Sequence, residues 1–213
     1  MRLKSMICIK FHTKIIVLKW KQYSEQFFLK KIHLSKEDKL FFCSLTKKKK
    51  REFIGVRYAL KCIGIKNRIL YNKKNKPFFE GNKKYVSFSH SYEKIAVAVS
   101  IYKIGIDIEK LRKDKKIIKI KKKFVRKDEF MFIHPNYEED YLHIIWGVKE
   151  SLFKLLGGTY YNFLINYKVS PFCLNKDYCI PCWIINKSYC RKFYAFYRKI
   201  EEHYLVYIID YSI

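Results

Sequence analysis

The chain has 213 residues and 49% of them are hydrophobic, enough to fill the core of one large domain or two small ones. Its 46 basic and 19 acidic residues give a formal net charge of +27, which favours phosphate-bearing partners such as nucleic acid, an anionic membrane or a nucleotide-like cofactor. No apolar run approaches the roughly 18 residues of a spanning helix, Lys10, His12 and Lys14 interrupt any signal-peptide core, and seven cysteines fit reduced thiols better than a disulfide framework; a cytoplasmic protein with no membrane association is expected.

In chain order, Met6 to Val17 alternates Ile7, Ile9 and Phe11 with Cys8, Lys10 and His12 and predicts one strand. Ser35, three residues before Asp38, opens a predicted helix with Leu40 and Phe41 on its inner face. A second helix is predicted over Arg51 to Ile63, where Phe53, Val56, Leu60 and Ile63 recur at helical spacing. The run Lys47 to Lys50 before it fits a solvated helix end or a nucleic-acid arm. After a loop over Asn72 to Asn82, Tyr85 to Phe88 and Ile95 to Ile101 predict strands joined through Ser89 to Glu93, with Ile104 to Glu109 following in one antiparallel group.

Lys113 to Lys123 predicts an amphipathic helix with a basic outer face. Asp140 to Leu156 predicts a longer one with the stripe Ile145, Val148, Leu152 and Leu155, ending at Gly157-Gly158. The remainder, aromatic and β-branched with turn residues at Asn166, Asn175, Lys176, Asp177 and Asn186, predicts several strands, the last over Tyr204 to Ile209. The order of elements permits two similar α+β lobes meeting near residue 104.

Ile104-Gly105-Ile106-Asp107-Ile108-Glu109 carries the first candidate chemistry. Strand alternation turns Ile106 and Ile108 to one face and Asp107 and Glu109 to the other. Such a pair is half of a site for a hard cation such as magnesium, or simply the wet face of a strand. On the longer helix Trp146, Glu150 and Lys154 are spaced by four and share a side away from the apolar stripe. They add a third carboxylate and a cation, or an ordinary surface pair. Three carboxylates with lysines supply what phosphoryl chemistry needs: a metal against developing charge, cations for non-bridging oxygens, and an acceptor for a hydroxyl proton.

The ordered combination of Gly105-Ile106-Asp107-Ile108-Glu109 with Trp146-x-x-Lys149-Glu150-Ser151-x-x-Lys154 resembles the 4'-phosphopantetheinyl transferase superfamily. Asn75-Lys76-Pro77-Phe78 and Phe88-Ser89-His90-Ser91 are similar to its lysine-proline loop and Ser-His motif, in the same order. The length resembles the larger, pseudo-dimeric type. The resemblance implies an α+β fold of two similar lobes, each a small antiparallel sheet packed with helices. Residues 1–103 would serve the 3'-phosphate and adenine side of coenzyme A, and residues 104–213 would carry the metal strand and catalytic helix.

The activity so implied is magnesium-dependent transfer of the 4'-phosphopantetheine group from coenzyme A to a serine of an acyl or peptidyl carrier protein, releasing adenosine 3',5'-bisphosphate. That is a holo-acyl-carrier-protein synthase type of enzyme, with fatty acid biosynthesis as the default pathway. By position, Asp107, Glu109 and Glu150 would hold Mg2+, and Glu150 would also deprotonate the serine, directly or through a metal-bound water. Lys154 and Lys149 would neutralise the pyrophosphate; Ser89, His90, Lys76 and Arg51 would contact coenzyme A on its 3'-phosphate side. Glu129 matches a family acid whose role stays open, and Gly147 stands where the family usually has alanine or a small hydroxyl residue.

An acidic apo acyl carrier protein gives the basic helix a partner by electrostatic steering, although the lysine excess accompanies a composition shifted as a whole. A monomer is expected. Nucleic acid is not, because the carboxylates would repel phosphate unless a metal intervened; a basic nucleic-acid-binding protein and a non-catalytic coenzyme A-binding descendant are the alternative readings. Cys173, Cys179, Cys182 and Cys190 lack a common zinc spacing, and no zinc site is expected.

Overall fold

Two antiparallel sheets, each formed by its own part of the chain, meet along one edge of each. The computed structural model describes residues 4–9, 12–21, 23–81, 83–111, 116–159 and 162–212. The strands β1 (Lys4–Ile9) and β2 (Thr13–Lys19) precede the helices α1 (Glu25–Leu29), α2 (Lys36–Ser44) and α3 (Lys47–Cys62). Then come β3 (Ile69–Tyr71), β4 (Pro77–Phe79), β5 (Tyr85–Ser91), β6 (Lys94–Ser100) and β7 (Lys103–Lys110). The helices α4 (Lys116–Ile120), α5 (Lys127–Phe130), α6 (Glu138–Leu155) and α7 (Phe163–Asn166) lead into β8 (Tyr167–Val169), β9 (Cys179–Asn186), β10 (Tyr189–Ile200) and β11 (His203–Asp210). One sheet has the order β1-β2-β6-β5, the other β7-β11-β10-β9-β8, and β3 with β4 forms a separate hairpin.

Strand alternation decides what each face buries. On β2, Ile16 and Leu18 pack under α3 against Ile54, Leu60 and Val97. Ile15 and Val17 on its other face meet Ile104, Ile106 and Ile108 of β7, so the two sheets share a small apolar layer. The stripe of α6, Ile145, Val148, Leu152 and Leu155, lies on the inner face of the second sheet against Ile184, Ala195 and Val206. The helix ends where Gly157 (φ 68°) and Gly158 (φ 75°) take left-handed backbone, as a glycine C-terminus does. The structure is thus α+β, antiparallel sheets packed with helices.

Several elements differ from the sequence expectation. The single strand over Met6 to Val17 is a hairpin, with Ile9 opposite Thr13; apolar alternation on both sides of the reversal conceals it. Of the residues in that expectation, Lys10 and Phe11 lie outside the described ones. In α2, capped by Ser35 Oγ accepting from Asp38 N at 3.1 Å, the inward residues are Asp38 and Phe42, while Leu40 and Phe41 are exposed. Arg57 draws Asp38 inward with two hydrogen bonds of 3.1 and 3.2 Å, turning the helix about its axis.

The helix expected from Arg51 begins at Lys47, so the lysine run is its first turn. Ser89 to Ser91 belong to β5 and not to a link; Tyr92 (φ 53°) and Glu93 make the reversal. β7 leaves the β5–β6 group and pairs with β11. The basic helix is shorter than predicted, giving way after Ile120 to a 3-10 turn over Lys121–Lys123, and residues 112–115 lie outside the described ones.

Candidate active site

Close approach of a helix to a strand creates the site. A Cβ on Gly105 would stand 1.9 Å from the Ser151 carbonyl oxygen, so only glycine lets α6 lie directly on β7. Gly147 repeats the device one turn earlier, where a Cβ would stand 2.6 Å from Val206 Cγ2. Glu150 and Lys154 are thereby brought beside Asp107. Lys154 Nζ donates to Asp107 Oδ1 at 2.7 Å and to Ile106 O at 3.1 Å. Ser89 Oγ from β5 donates to the same Oδ1, also at 2.7 Å.

Asp107 is 2% exposed, and its second oxygen, Oδ2, is buried with no hydrogen-bond partner among the described residues. A buried carboxylate oxygen without a donor is costly unless a cation meets it. Glu150 is half-buried and its carboxyl is pushed up to about 7, first by burial and then by the negative charge of Asp107, with Lys154 acting the other way. A carboxyl whose ionisation is opposed by a neighbouring carboxylate favours a shared positive ion, and an all-oxygen donor set suits a hard one. The residues present therefore fit magnesium.

Glu109 is held differently. Its Oε2 accepts from Ser91 Oγ at 3.1 Å, and the side chain borders a cavity of about 220 Å³ with Trp146 and His143. Among the described residues no group of three His, Cys, Asp or Glu side chains stands close enough to hold an ion. The three-carboxylate set expected from sequence is thus not assembled as a cluster here: Asp107 faces Glu150 across the helix contact, and Glu109 lies farther along β7.

On the other side of β5 a cavity of about 660 Å³ is bordered by Trp20, Lys21, Lys47, Lys48, Arg51, Glu52 and His90. The first turn of α3 holds no acidic residue and Thr46 caps it with no side-chain bond. Lysines at the positive end of a helix dipole repel it, and an anion there relieves both. His90 Nε2 lies 3.2 Å from Glu52 Oε1; burial lowers its pKa, more than Glu52 raises it. Arg51 Nη2 donates to Lys21 O and Tyr23 O, each at 2.8 Å, which ties the cavity wall to the loop after β2.

Residues 103–204, which hold β7, α6 and most of the second sheet, match the family model of the 4'-phosphopantetheinyl transferase superfamily. Over that stretch the chain is similar to the superfamily. A 4'-phosphopantetheinyl transferase of Bacillus subtilis is 37% identical over 76 residues, 34% of this chain and 33% of that protein. The 4'-phosphopantetheinyl transferase gsp of Aneurinibacillus migulanus is 29% identical over 116 residues, 52% of this chain and 48% of that protein. The matched stretches span about half or less of the curated relatives' own length.

Asp107, Glu150 and Lys154 of the matched stretch converge with Ser89, and His90 and Arg51 share the basic cavity. Three residues are placed otherwise than the sequence implied. Lys149 has no solvent exposure and its ammonium donates to Phe124 O, Glu129 Oε2 and Phe163 O, so it is part of the core and does not face the carboxylates. Lys76 Nζ donates to Leu155 O at 2.8 Å and closes the C-terminal end of α6. Ser89 points away from His90, because neighbours on a strand take opposite faces.

Sequence reading passed over Lys47 and Lys48 as solvated charge; the register of α3 that puts them beside Arg51 and Glu52 was the available signal. It also missed Ser91 as the partner of Glu109. Cys179 and Cys182, three apart on a strand, take opposite faces of β9, the first exposed and the second buried.

Proposed function

We propose that this chain transfers the 4'-phosphopantetheine group of coenzyme A to a serine hydroxyl of an acyl or peptidyl carrier protein and releases adenosine 3',5'-bisphosphate. One observation carries the reading: within the matched stretch, a buried carboxylate oxygen of Asp107 has no donor and sits beside Glu150, whose carboxyl titrates near neutrality. Asp107 and Glu150 would hold Mg2+, with Glu109 the next carboxylate along β7. A bound magnesium ion supplies positive charge against the pyrophosphate of coenzyme A.

Glu150, with a pKa of about 7, takes the proton of the attacking serine. The serine oxygen forms a bond to the β-phosphorus as the bond to the bisphosphate oxygen breaks. Lys154, a quarter exposed and fixed on Asp107, adds a cation for the leaving phosphate. Lys47, Lys48 and Arg51 offer charge to the 3'-phosphate in the cavity beside α3, and His90 a ring nitrogen. The exposed lysines of α4 and the following 3-10 turn favour an acidic carrier surface.

The change of sheet between Ser100 and Lys103 supports a boundary near residue 103 in a monomeric, pseudo-dimeric enzyme. No helix among the described residues is long and apolar enough to cross a membrane, in keeping with a cytoplasmic holo-acyl-carrier-protein synthase. Incubation with coenzyme A, magnesium and apo carrier protein, read by the intact mass of the carrier, tests the proposal. A gain equal to the phosphopantetheine arm supports it, and carriers of several types left unmodified overturn it. Asp107→Ala is expected to abolish transfer while the circular dichroism spectrum stays that of wild type.

A further inference from the structure

β5 and β7 lie side by side without pairing as strands of one sheet. Serine hydroxyls bridge them instead. Ser87 Oγ accepts from Ile106 N at 3.2 Å, Ser89 Oγ donates to Asp107 Oδ1 at 2.7 Å, and Ser91 Oγ donates to Glu109 Oε2 at 3.1 Å while accepting from Lys110 N at 3.1 Å. The two-residue period of one strand thus matches that of the other, so consecutive teeth of the comb meet consecutive carboxylates.

We propose that Ser89 and Ser91 are positioning residues for the divalent cation, each fixing the carboxylate that β7 presents. The proposal rests on the reading that Asp107 and Glu150 hold such an ion with Glu109 the next carboxylate along β7, and it gives Ser89 a different task from contact with a phosphate of coenzyme A. Ser89 is 8% exposed, and its proton is directed to Asp107. With Lys154 on the same oxygen, Oδ1 is fully engaged, and Oδ2 becomes the oxygen offered to a metal. Ser91 works by the same logic: a hydroxyl that accepts from a backbone N–H has its own proton free to point at Glu109. Outer partners of this kind set the orientation of ligating carboxylates and commonly govern metal affinity. Because both serines belong to the first sheet, metal affinity becomes a measure of how the two sheets are aligned.

Titration of the full-length protein with Mn2+ alone, followed by the electron paramagnetic resonance signal of the free ion, tests this. Ser89→Ala is expected to weaken Mn2+ binding by about tenfold or more, and Ser89→Thr, which keeps the hydroxyl, to restore it to within about threefold. Ser91→Ala should give a smaller loss through Glu109 and serves in place of Ser89→Ala if that variant does not fold. Ser87→Ala, which touches only backbone, should lower the melting temperature without altering Mn2+ affinity. In turnover, Ser89→Ala should raise the metal concentration needed for half-maximal rate and leave the KM for coenzyme A unchanged. Unaltered Mn2+ affinity in both alanine variants, or a raised KM for coenzyme A as the sole effect, overturns the inference. A wild-type chain that binds no Mn2+ overturns the metal reading beneath it, and the inference with it.

Discussion

Lys149 and Glu129 form an ion pair from which solvent is wholly excluded: Nζ lies 2.7 Å from Oε2 and neither side chain has any exposure. Two further carbonyls receive the ammonium, and the carboxylate accepts from Arg126 N at 2.8 Å and Val169 N at 2.9 Å. Glu129 therefore ties α5 and β8 to α6. Burial outweighs the pairing and brings the Lys149 pKa down to about 8. Lys149→Met leaves the carboxylate buried and uncompensated and is expected to cost roughly 3–5 kcal/mol in urea unfolding. Lys149→Met with Glu129→Gln should cost less than Lys149→Met alone, since no charge remains and the amide oxygen still accepts one of the two backbone N–H groups.

Glu150 makes stability depend on pH in the direction opposite to a salt-bridged acid. Its folded pKa of about 7 exceeds the ordinary value of 4.5, so the folded chain binds more protons than the unfolded one between these limits. Its contribution to stability therefore falls as pH rises from about 4.5 to about 7 and is flat above both. Glu150→Gln should remove this slope and leave the protein more stable than wild type at pH 8. Thermal melts from pH 4.5 to 8 measure it. Divalent metal competes with the same proton, so metal affinity should climb over the same range in wild type.

The two glycines at the helix–strand contact should respond unequally to alanine. Gly105→Ala sets a methyl 1.9 Å from backbone that cannot give way, and a loss of about 3 kcal/mol or more is expected. Gly147→Ala meets chiefly the Val206 side chain, Cγ2 at 2.6 Å and Cβ at 3.2 Å, and gains about 1 kcal/mol of helix propensity. Combining it with Val206→Ala should give a stability nearer wild type than the sum of the single changes, a coupling that a double-mutant cycle in urea resolves.

Charge at the start of α3 should act on coenzyme A binding and not on chemistry. Lys48→Glu is expected to raise the KM for coenzyme A by about tenfold at low salt with kcat nearly unchanged, the effect shrinking as ionic strength rises. Steady-state kinetics with coenzyme A and its 3'-dephospho form check it, the variant discriminating less between the two.

What could be read from sequence was whatever local spacing encodes. The alternation of Ile106 and Ile108 with Asp107 and Glu109, the apolar stripe of α6 and its Gly-Gly end, and the Ser35 cap all follow from periods of 2 and 3.6, and each matches the structure. The partners of those residues depend on tertiary packing that a single chain pattern does not carry. Lys149 and Glu150 are adjacent in sequence, yet one enters the core and the other faces Asp107, because 100° of helix rotation separates them. Leu40 and Phe41 lost their inward place to Asp38, a polar residue whose pull came from Arg57, nineteen residues away. The transfer of β7 to the second sheet was equally hidden, since its partner β11 lies at the far end of the described chain.

The serine bridge between β5 and β7 also bears on solubility during folding. Each strand closes its own sheet at one side and on its own would present unpaired backbone groups, a template for association with other chains. Hydroxyls of β5 answer the N–H groups of Ile106 and Lys110 on β7, so part of the β7 edge is covered by the other sheet. A chain in which only one sheet has formed leaves those N–H groups open, so the docking of the two sheets is the step that covers them.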